Sequence, residues 1–468
     1  MKINIQLISS VNESLTELGT QFKFEAKSGQ YLYDQSYKTL YIGTRYESNP
    51  IEINDFDKTL YYNLGLKAIN NCPDIVSEIL IKNSQLNQKD LENFIFGIKS
   101  SLFSYSFRDK VKLKDIKINS EQEVDLDRIN SISDGIYFTK HVTDLNPNEL
   151  NPTTYIQILN KEFENSNKPW IKVRTIKNQE LVELGMNMLT SVGRGSEHGA
   201  NLYIIEIEPV VSPTSTTVFI GKGLTFDTGG VNIKENGNSF GMQDDMAGSA
   251  TIFGVVKALQ NLPQPYDNKL VFLSGIVENV TDGRSFMPGE ILENIAGQTS
   301  IVKNTDAEGR LTLSDVVAYS VINYKPDQII TIATLTGAAI SSFTGFSAPI
   351  FSNNKEFRNK IYNYFLKAEE ECIQVDMPSR VFRDGIKDIT GRSDMSNTGS
   401  YASKGAGSQT AAAFVIASGQ PKLYKKYNEE LPDSIPVVHI DIAGTSVDSK
   451  GNGTAYGVRS LVEFLTKN

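Results

Sequence analysis

Two stretches of the chain hold residues whose types and spacing could do chemistry. The first runs from Gly221 to Asp245, GKGLTFDTGGVNIKENGNSFGMQDD, directly after the apolar run Val218, Phe219, Ile220. It sets Lys222 and Lys234 among Asp227, Asp244 and Asp245, with glycines where the backbone must turn sharply. The second, Asn304 to Arg310 (NTDAEGR), adds Asp306, Glu308 and Arg310. Acids gathered on loops repel and raise each other's pKa; a divalent cation is the usual compensation. Carboxylate oxygens, with few His and no paired Cys, suit Zn²⁺ or Mn²⁺. Two ions sharing carboxylates sit about 3.5–4 Å apart and clamp both attacking and leaving oxygens. The two stretches are therefore expected to fold together around a pair of metal ions, with Asp227, Asp245, Asp306 and Glu308 as candidate ligands. Taken singly, each acid reads more readily as a solvated loop residue, since charged side chains are mostly exposed. The group, interleaved with Lys222, Lys234 and Arg310, is an odd design for a plain surface.

Acids from distant stretches meet only if strands deliver them to one edge. From Leu202 onward apolar runs and helical patterns alternate: strands at Leu202–Ile207, Val218–Ile220, Leu270–Leu273, Ile329–Ala333 and Val437–Ile442, helices at Gly248–Leu259, Leu313–Val321, Phe357–Ile373, Gln409–Ser418 and Gly457–Thr466. Such alternation predicts a largely parallel sheet covered on both faces. Ligands of such sheets bind beyond the carboxyl ends of the strands, and Lys222 to Asp227 and Leu335 to Gly337 both follow apolar strand runs. Before this region, Ser120 to His141 reads as a long helix linking two domains. Asn151 caps a helix starting at Pro152, where a missing amide hydrogen does no harm. Trp170–Thr175 reads as a strand, Glu180–Leu189 as a helix and Val192–Ser196 (VGRGS) as a glycine turn. Neither that turn nor Gly221-Lys222-Gly223 has the spacing of a phosphate loop.

Residues 1 to about 120 read as a smaller α/β unit without evident chemistry. Ile3, Ile5 and Leu7 alternate with polar neighbours, Thr39–Gly43 is strand-like, Leu60–Ile69 and Lys89–Ser101 have helical spacing, and Val111–Ile118 alternates again. The aromatics Tyr31, Tyr33, Tyr61, Tyr62, Phe103 and Phe107 read as core rather than a base-stacking platform. The 468 residues suggest two or three domains. A formal charge of −9 disfavours nucleic acid and anionic membrane surfaces. Cys72 and Cys372 make no framework, which fits a reducing, cytosolic compartment. The first residues, MKINIQLISS, are too weakly apolar for a signal peptide, and no run of about 20 apolar residues predicts a membrane span.

GKGLTFDTGG, the lysine of NIK, QDDMAGSA and NTDAEGR resemble, in order and spacing, the signature blocks of the leucyl aminopeptidase (cytosol aminopeptidase) family. The resemblance covers about residues 140 to 468. It implies an α/β fold with a smaller non-catalytic N-terminal domain (1–140) and a larger catalytic domain (141–468) built on a mostly parallel sheet. It implies hydrolysis of N-terminal residues, leucine and other apolar ones preferred, from peptides with a free N-terminus, through a water bridging two ions.

The resemblance also assigns roles. Lys222 and Asp245 match ligands of the more tightly held metal, Asp227 and Glu308 the bridging carboxylates, and Asp306 a ligand of the exchangeable ion. The register from Lys222 selects Asp245 over Asp244. Lys234 matches the catalytic lysine that stabilises the oxyanion. Arg310 matches the arginine that holds a bicarbonate ion acting as proton acceptor. Met242, Thr334, Leu335 and Gly337 match residues lining the substrate pocket. His141, His198 and His439 lie outside the blocks and read as structural. Ser403–Gln409 resembles the family's glycine-rich loop. Departures occur at Met287-Pro288-Gly289-Glu290, often Arg-Pro-Gly-Asp in the family, and at Met246–Ser249. The family implies a cytoplasmic homohexamer. The alternative from another class is a non-catalytic DNA-binding or regulatory protein on the same scaffold; clustered Lys and Arg, which phosphate neutralisation needs, are not apparent.

Overall fold

The computed structural model describes the chain apart from residues 9–22, 45–60, 74, 83–85, 165, 344, 401–404, 428–430 and 467–468. The chain divides into two compact units, Met1–Ser133 with Lys367–Glu369, and Asp134–Leu366 with Glu370–Asn468.

The first unit holds β1 (Lys2–Ile8), β2 (Tyr31–Asp34), β3 (Thr39–Gly43), α1 (Tyr61–Ala68), β4 (Glu78–Lys82), α2 (Gln88–Leu102), β5 (Phe103–Ser106), β6 (Lys110–Leu113) and β7 (Lys117–Ser120). Five strands form one sheet in the order β2-β3-β1-β4-β7. The alternation read in β1 is real: Ile3, Ile5 and Leu7 are buried. Val111–Ile118 is not one strand. β6 pairs antiparallel with β5 in a separate ribbon, a tight turn bonds Ile116 N–H to Lys114 O, and only β7 joins the main sheet beside β4. The long helix is α3 (Leu126–Thr143), later than Ser120, because Ser120 still pairs with Ile81 and Asp125 accepts from Arg128 N–H as the helix begins.

The second unit continues with α4 (Pro152–Phe163), β8 (Ile171–Lys177), α5 (Asn178–Glu183), α6 (Asn187–Val192), β9 (Asn201–Ile207), β10 (Ser215–Gly221), β11 (Gly223–Asp227), α7 (Ala247–Leu259), β12 (Asn268–Asn279), β13 (Ile291–Glu293), β14 (Thr299–Ile301) and α8 (Gly309–Tyr324). There follow β15 (Gln328–Ala333), α9 (Gly337–Phe343), β16 (Ala348–Ser352), α10 (Lys355–Lys367), β17 (Cys372–Gln374), β18 (Met395–Ser396), α11 (Gly407–Ser418), β19 (Val437–Asp441) and α12 (Val458–Thr466). As the sequence predicts, Asn151 caps α4: its side chain accepts from Thr153 and Thr154 N–H. The helix read over Glu180–Leu189 is two helices, α5 and α6. Gly185 takes a left-handed φ of 79°, Gly185 N–H reaches Val182 O and Met186 N–H reaches Leu181 O, a paired closure that ends α5. The helix read to Ile373 stops at Lys367, after which Glu369 turns left-handed and Cys372–Gln374 joins the sheet as β17 beside β16.

The main sheet runs β17-β16-β19-β15-β10-β12-β9-β8, with β11 paired to the carboxyl end of β12. Its centre, β19-β15-β10-β12, is parallel throughout; antiparallel pairings lie at β16–β19, β12–β9 and β9–β8. Side chains alternate between its faces. Val218, Ile220, Val271 and Leu273 pack into one core with residues of α6, α8 and α11. Phe219 and Phe272 stack at 4.8 Å in the other direction, where Phe464 of α12 meets Phe219. Burial on both faces explains why these strands read as unbroken apolar runs. No helix among the described residues is long and apolar enough to cross a membrane.

Candidate metal centre

The sequence-selected residues leave the sheet at the carboxyl ends of its parallel strands. Lys222 follows β10, and its backbone is clamped between Ile332 O and Ser249 N–H. Asp227 ends β11 opposite Asn279, the last residue of β12. Thr334 follows β15. Asp245 stands just ahead of α7, and Glu308 just ahead of α8. The two stretches are stitched together by Thr305: its hydroxyl donates to Gly229 O at 2.7 Å and accepts from Asn232 N–H at 2.8 Å, and Asn232 Oδ1 accepts from Thr305 N–H at 2.8 Å. Gly229 and Gly230 make this turn at φ 86° and 64°, and a Cβ on Gly230 would sit 2.7 Å from Asn279 Oδ1. Gly309 meets a different demand: a Cβ there would lie 2.6 Å from Lys222 Cε, so glycine leaves the room the lysine stem occupies.

Lys222 is buried, with Nζ 2.7 Å from Asp245 Oδ1, 2.9 Å from Thr334 O and 3.3 Å from Glu308 Oε1. Asp227, Asp245 and Glu308, all buried, each offer a carboxylate oxygen within 4.8 Å of the others. Lys234 Nζ lies 2.8 Å from Asp227 Oδ2 and 2.5 Å from Asp306 Oδ1, so half-buried Asp306 joins the group through that lysine. Asp227 Oδ1 is held by Gly229 N–H and by Asn279 Nδ2, each at 2.8 Å. The hydroxyl of Thr334 donates to Asp245 Oδ1 at 2.8 Å.

Four carboxylates thus face two ammonium groups, and the protonation tendencies report that imbalance from both sides. Burial and the neighbouring carboxylates push Asp245, Glu308 and Asp306 above the ordinary carboxylate range despite the two lysines. Burial alone would lower Lys222 and Lys234, yet the surrounding acids hold both above the ordinary lysine range. The lysine shifts run against burial and so point to excess negative charge, whereas burial is the first cause for the acids. Asp245 Oδ2 and Glu308 Oε2 are buried without a hydrogen-bond partner, which is costly for a carboxylate. Unpaired buried oxygens, bridging-range carboxylates and one nitrogen donor fit hard or borderline divalent cations.

The cluster opens into a cavity of about 1120 Å³. Met242, Thr334, Leu335 and Gly337 all line it, as do Lys234 and Asp306. Arg310 does not. It is buried at the start of α8, its Nε is unpartnered, and burial pulls it down to about 10 although Glu308 and Asp441 oppose the shift. None of the three histidines lines the cavity; His439 lies inside β19, with Nδ1 2.8 Å from Thr331 Oγ1.

Sequence reasoning passed over Asn279, which braces Asp227 and also donates to Thr305 O at 3.0 Å. The apolar run predicts a strand over Leu270–Leu273, whereas β12 continues to Asn279. Asp441 was passed over as well. At the end of β19 it accepts from Leu335 N–H at 3.0 Å and from the Thr336 hydroxyl at 2.7 Å, fixing the cavity wall. The glycine-rich loop read at Ser403–Gln409 lies partly outside the described residues.

The family model of the cytosol aminopeptidase catalytic domain matches residues 137–462. A probable cytosol aminopeptidase of Rickettsia bellii (strain OSU 85-389) is 32% identical over 374 residues, covering 77% of this chain and 70% of that protein. One of Prochlorococcus marinus subsp. pastoris is 29% identical over 489 residues, covering 99% of this chain and 94% of the relative. One of Rickettsia felis is 30% identical over 426 residues, covering 86% and 81%.

Proposed function

The chain belongs to the cytosol aminopeptidase family, and from that premise we propose that it is a metal-dependent aminopeptidase releasing N-terminal residues, leucine and other apolar ones preferred, from peptides with a free amine. The observation that carries this reading is the surplus of buried negative charge, with Asp227, Asp245 and Glu308 within 4.8 Å of one another and two of their oxygens unpaired. Lys222, Asp227, Asp245, Asp306 and Glu308 are assigned to hold two divalent ions, Mn²⁺ or Zn²⁺. Bound there, the ions supply Lewis-acid polarisation and a water acidic enough to attack a carbonyl near neutral pH.

The chain's own residues do the rest. Lys222 gives up its proton on loading, because only a neutral amine offers a lone pair. Lys234 keeps its charge and, at the cavity wall beside Asp227 and Asp306, stabilises the negative oxygen that develops on the scissile carbonyl. Asn279 and Gly229 N–H fix Asp227, and Thr334 fixes Asp245, so the acids do not reorient as charge moves. Arg310, buried at the start of α8 with its Nε unpartnered, is assigned to hold a bicarbonate ion that would serve as proton acceptor for the attacking water. Met242, Thr334, Leu335 and Gly337 shape the pocket for the first residue and its peptide backbone. An apolar pocket separates side chains differing by a methylene by only ~1–3 kcal/mol, so the leucine preference is broad.

Residues 1–140 form a non-catalytic domain and 141–468 the catalytic one, in a cytoplasmic homohexamer. The test is hydrolysis of leucine p-nitroanilide after exhaustive chelation. Activity is expected to vanish with chelator, to return with Mn²⁺ or Zn²⁺, and to be absent toward N-acetyl-leucine p-nitroanilide. Turnover that survives chelation, or that accepts the acetylated substrate equally, would refute the reading.

A further inference from the structure

Asp244 is a carboxylate in the cavity wall that the proposed chemistry does not use. It ends the one-turn helix Met242–Asp244 and stands beside Asp245 without entering the buried three-acid group. Its side chain is half-buried, yet its one hydrogen-bonding side-chain partner among the described residues is the Ser446 hydroxyl at 3.3 Å. That is long for a hydroxyl donating to a carboxylate. The cation felt there is Lys222, but its ammonium is already spread over Asp245, Glu308 and Thr334 O. A half-buried acid facing a cavity, whose neighbouring cation is shared among other acids, is complementary to a cation brought by a ligand.

Its surroundings say which cation. Met242, two residues earlier, lines the same cavity, and the hydrogen bond to Ser446 brings in the loop whose Ala443, Val447 and Lys450 also line it. A carboxylate set beside apolar side chains suits a side chain with an aliphatic stem and a charged tip. We propose that Asp244 is a specificity-determining residue that pairs with a cationic first side chain, so that peptides beginning with Arg or Lys are substrates alongside those beginning with Leu. This rests on the aminopeptidase reading, and Asp244 directly precedes Asp245 of the three-acid group.

The experiment compares leucine, arginine and lysine p-nitroanilides with the Mn²⁺-loaded full chain and its Asp244→Asn variant. The ratio of kcat/KM for Arg over Leu is expected to fall about 10- to 100-fold in the variant, with Asp244→Glu restoring part of it. A ratio that moves less than twofold overturns the proposal, as does a wild type that cleaves Leu but neither Arg nor Lys. A wild type that cleaves none of the three instead overturns the aminopeptidase reading. Should the Asn variant fold poorly, competitive inhibition of the wild type decides: free arginine is expected to bind about tenfold tighter than norleucine, and equal inhibition refutes the pairing.

Discussion

Replacing Glu308 with Gln should stabilise the metal-free protein while removing its response to metal. Glu308 shares its site with Asp227 and Asp245, one oxygen of each lying within 4.8 Å of the others. At that separation two like charges repel by roughly 3–4 kcal/mol with an effective dielectric near 20. Lys222, 3.3 Å away, returns roughly 5 kcal/mol on the same footing. Two repulsions therefore outweigh the one close attraction by about 1–3 kcal/mol, a margin that Lys234 narrows without an ion pair to Glu308, and Oε2 is buried without any partner. Gln has the same shape and no charge, so Tm in chelator should rise by about 2–5 °C at the usual conversion for large domains. With metal the order reverses. At a concentration about 1,000 times Kd, the wild type gains roughly 4 kcal/mol, whereas Glu308→Gln should gain under about 1 kcal/mol. Intrinsic fluorescence melts, with Trp170 as the single tryptophan, give both numbers. A variant with a lower metal-free Tm and an undiminished metal shift would show that Glu308 is neither electrostatically frustrated nor a ligand.

Two more outcomes are expected. Lys234→Ala should lower kcat by about 10²–10³-fold and change KM far less, since its charge acts on the transition state; a pure KM effect in steady-state kinetics would contradict that role. His439 is fully buried and held down to about 3 by burial and then by Arg310, below the ordinary value near 6.5. The unfolded chain therefore takes up the extra proton, and this residue's stability contribution is lost as pH falls below that ordinary value. The loss is roughly 2 kcal/mol between pH 7 and 5. Urea melts at both pH values should show a smaller pH dependence in His439→Gln than in wild type; identical slopes would mean that His439 charges freely in the fold.

Much of the site was legible because its chemistry is carried by residue type. Charged side chains just past apolar strand runs have few structural uses, so the residue types alone place Lys222 and Asp227 at strand ends. Asn151-Pro152 was equally plain, since the cap and the following proline act through local geometry alone. The errors arose where long-range pairing or a single backbone angle decided the outcome. Apolar periodicity ran through Gly185 and Glu369, but their left-handed turns end two helices. Val111–Ile118 alternates smoothly, yet its two halves pair with different partners. Asn279 and Asp441 brace the site through contacts 52 and 106 residues away in sequence, and nothing local distinguishes them from ordinary strand-end polar residues.

The most direct test is anomalous scattering from crystals loaded with Mn²⁺ or Zn²⁺, measured at the metal's absorption edge. Two peaks about 3.5–4 Å apart are expected among Lys222, Asp227, Asp245, Asp306 and Glu308. Ordered side chains at these positions with no anomalous peak between them would contradict the account.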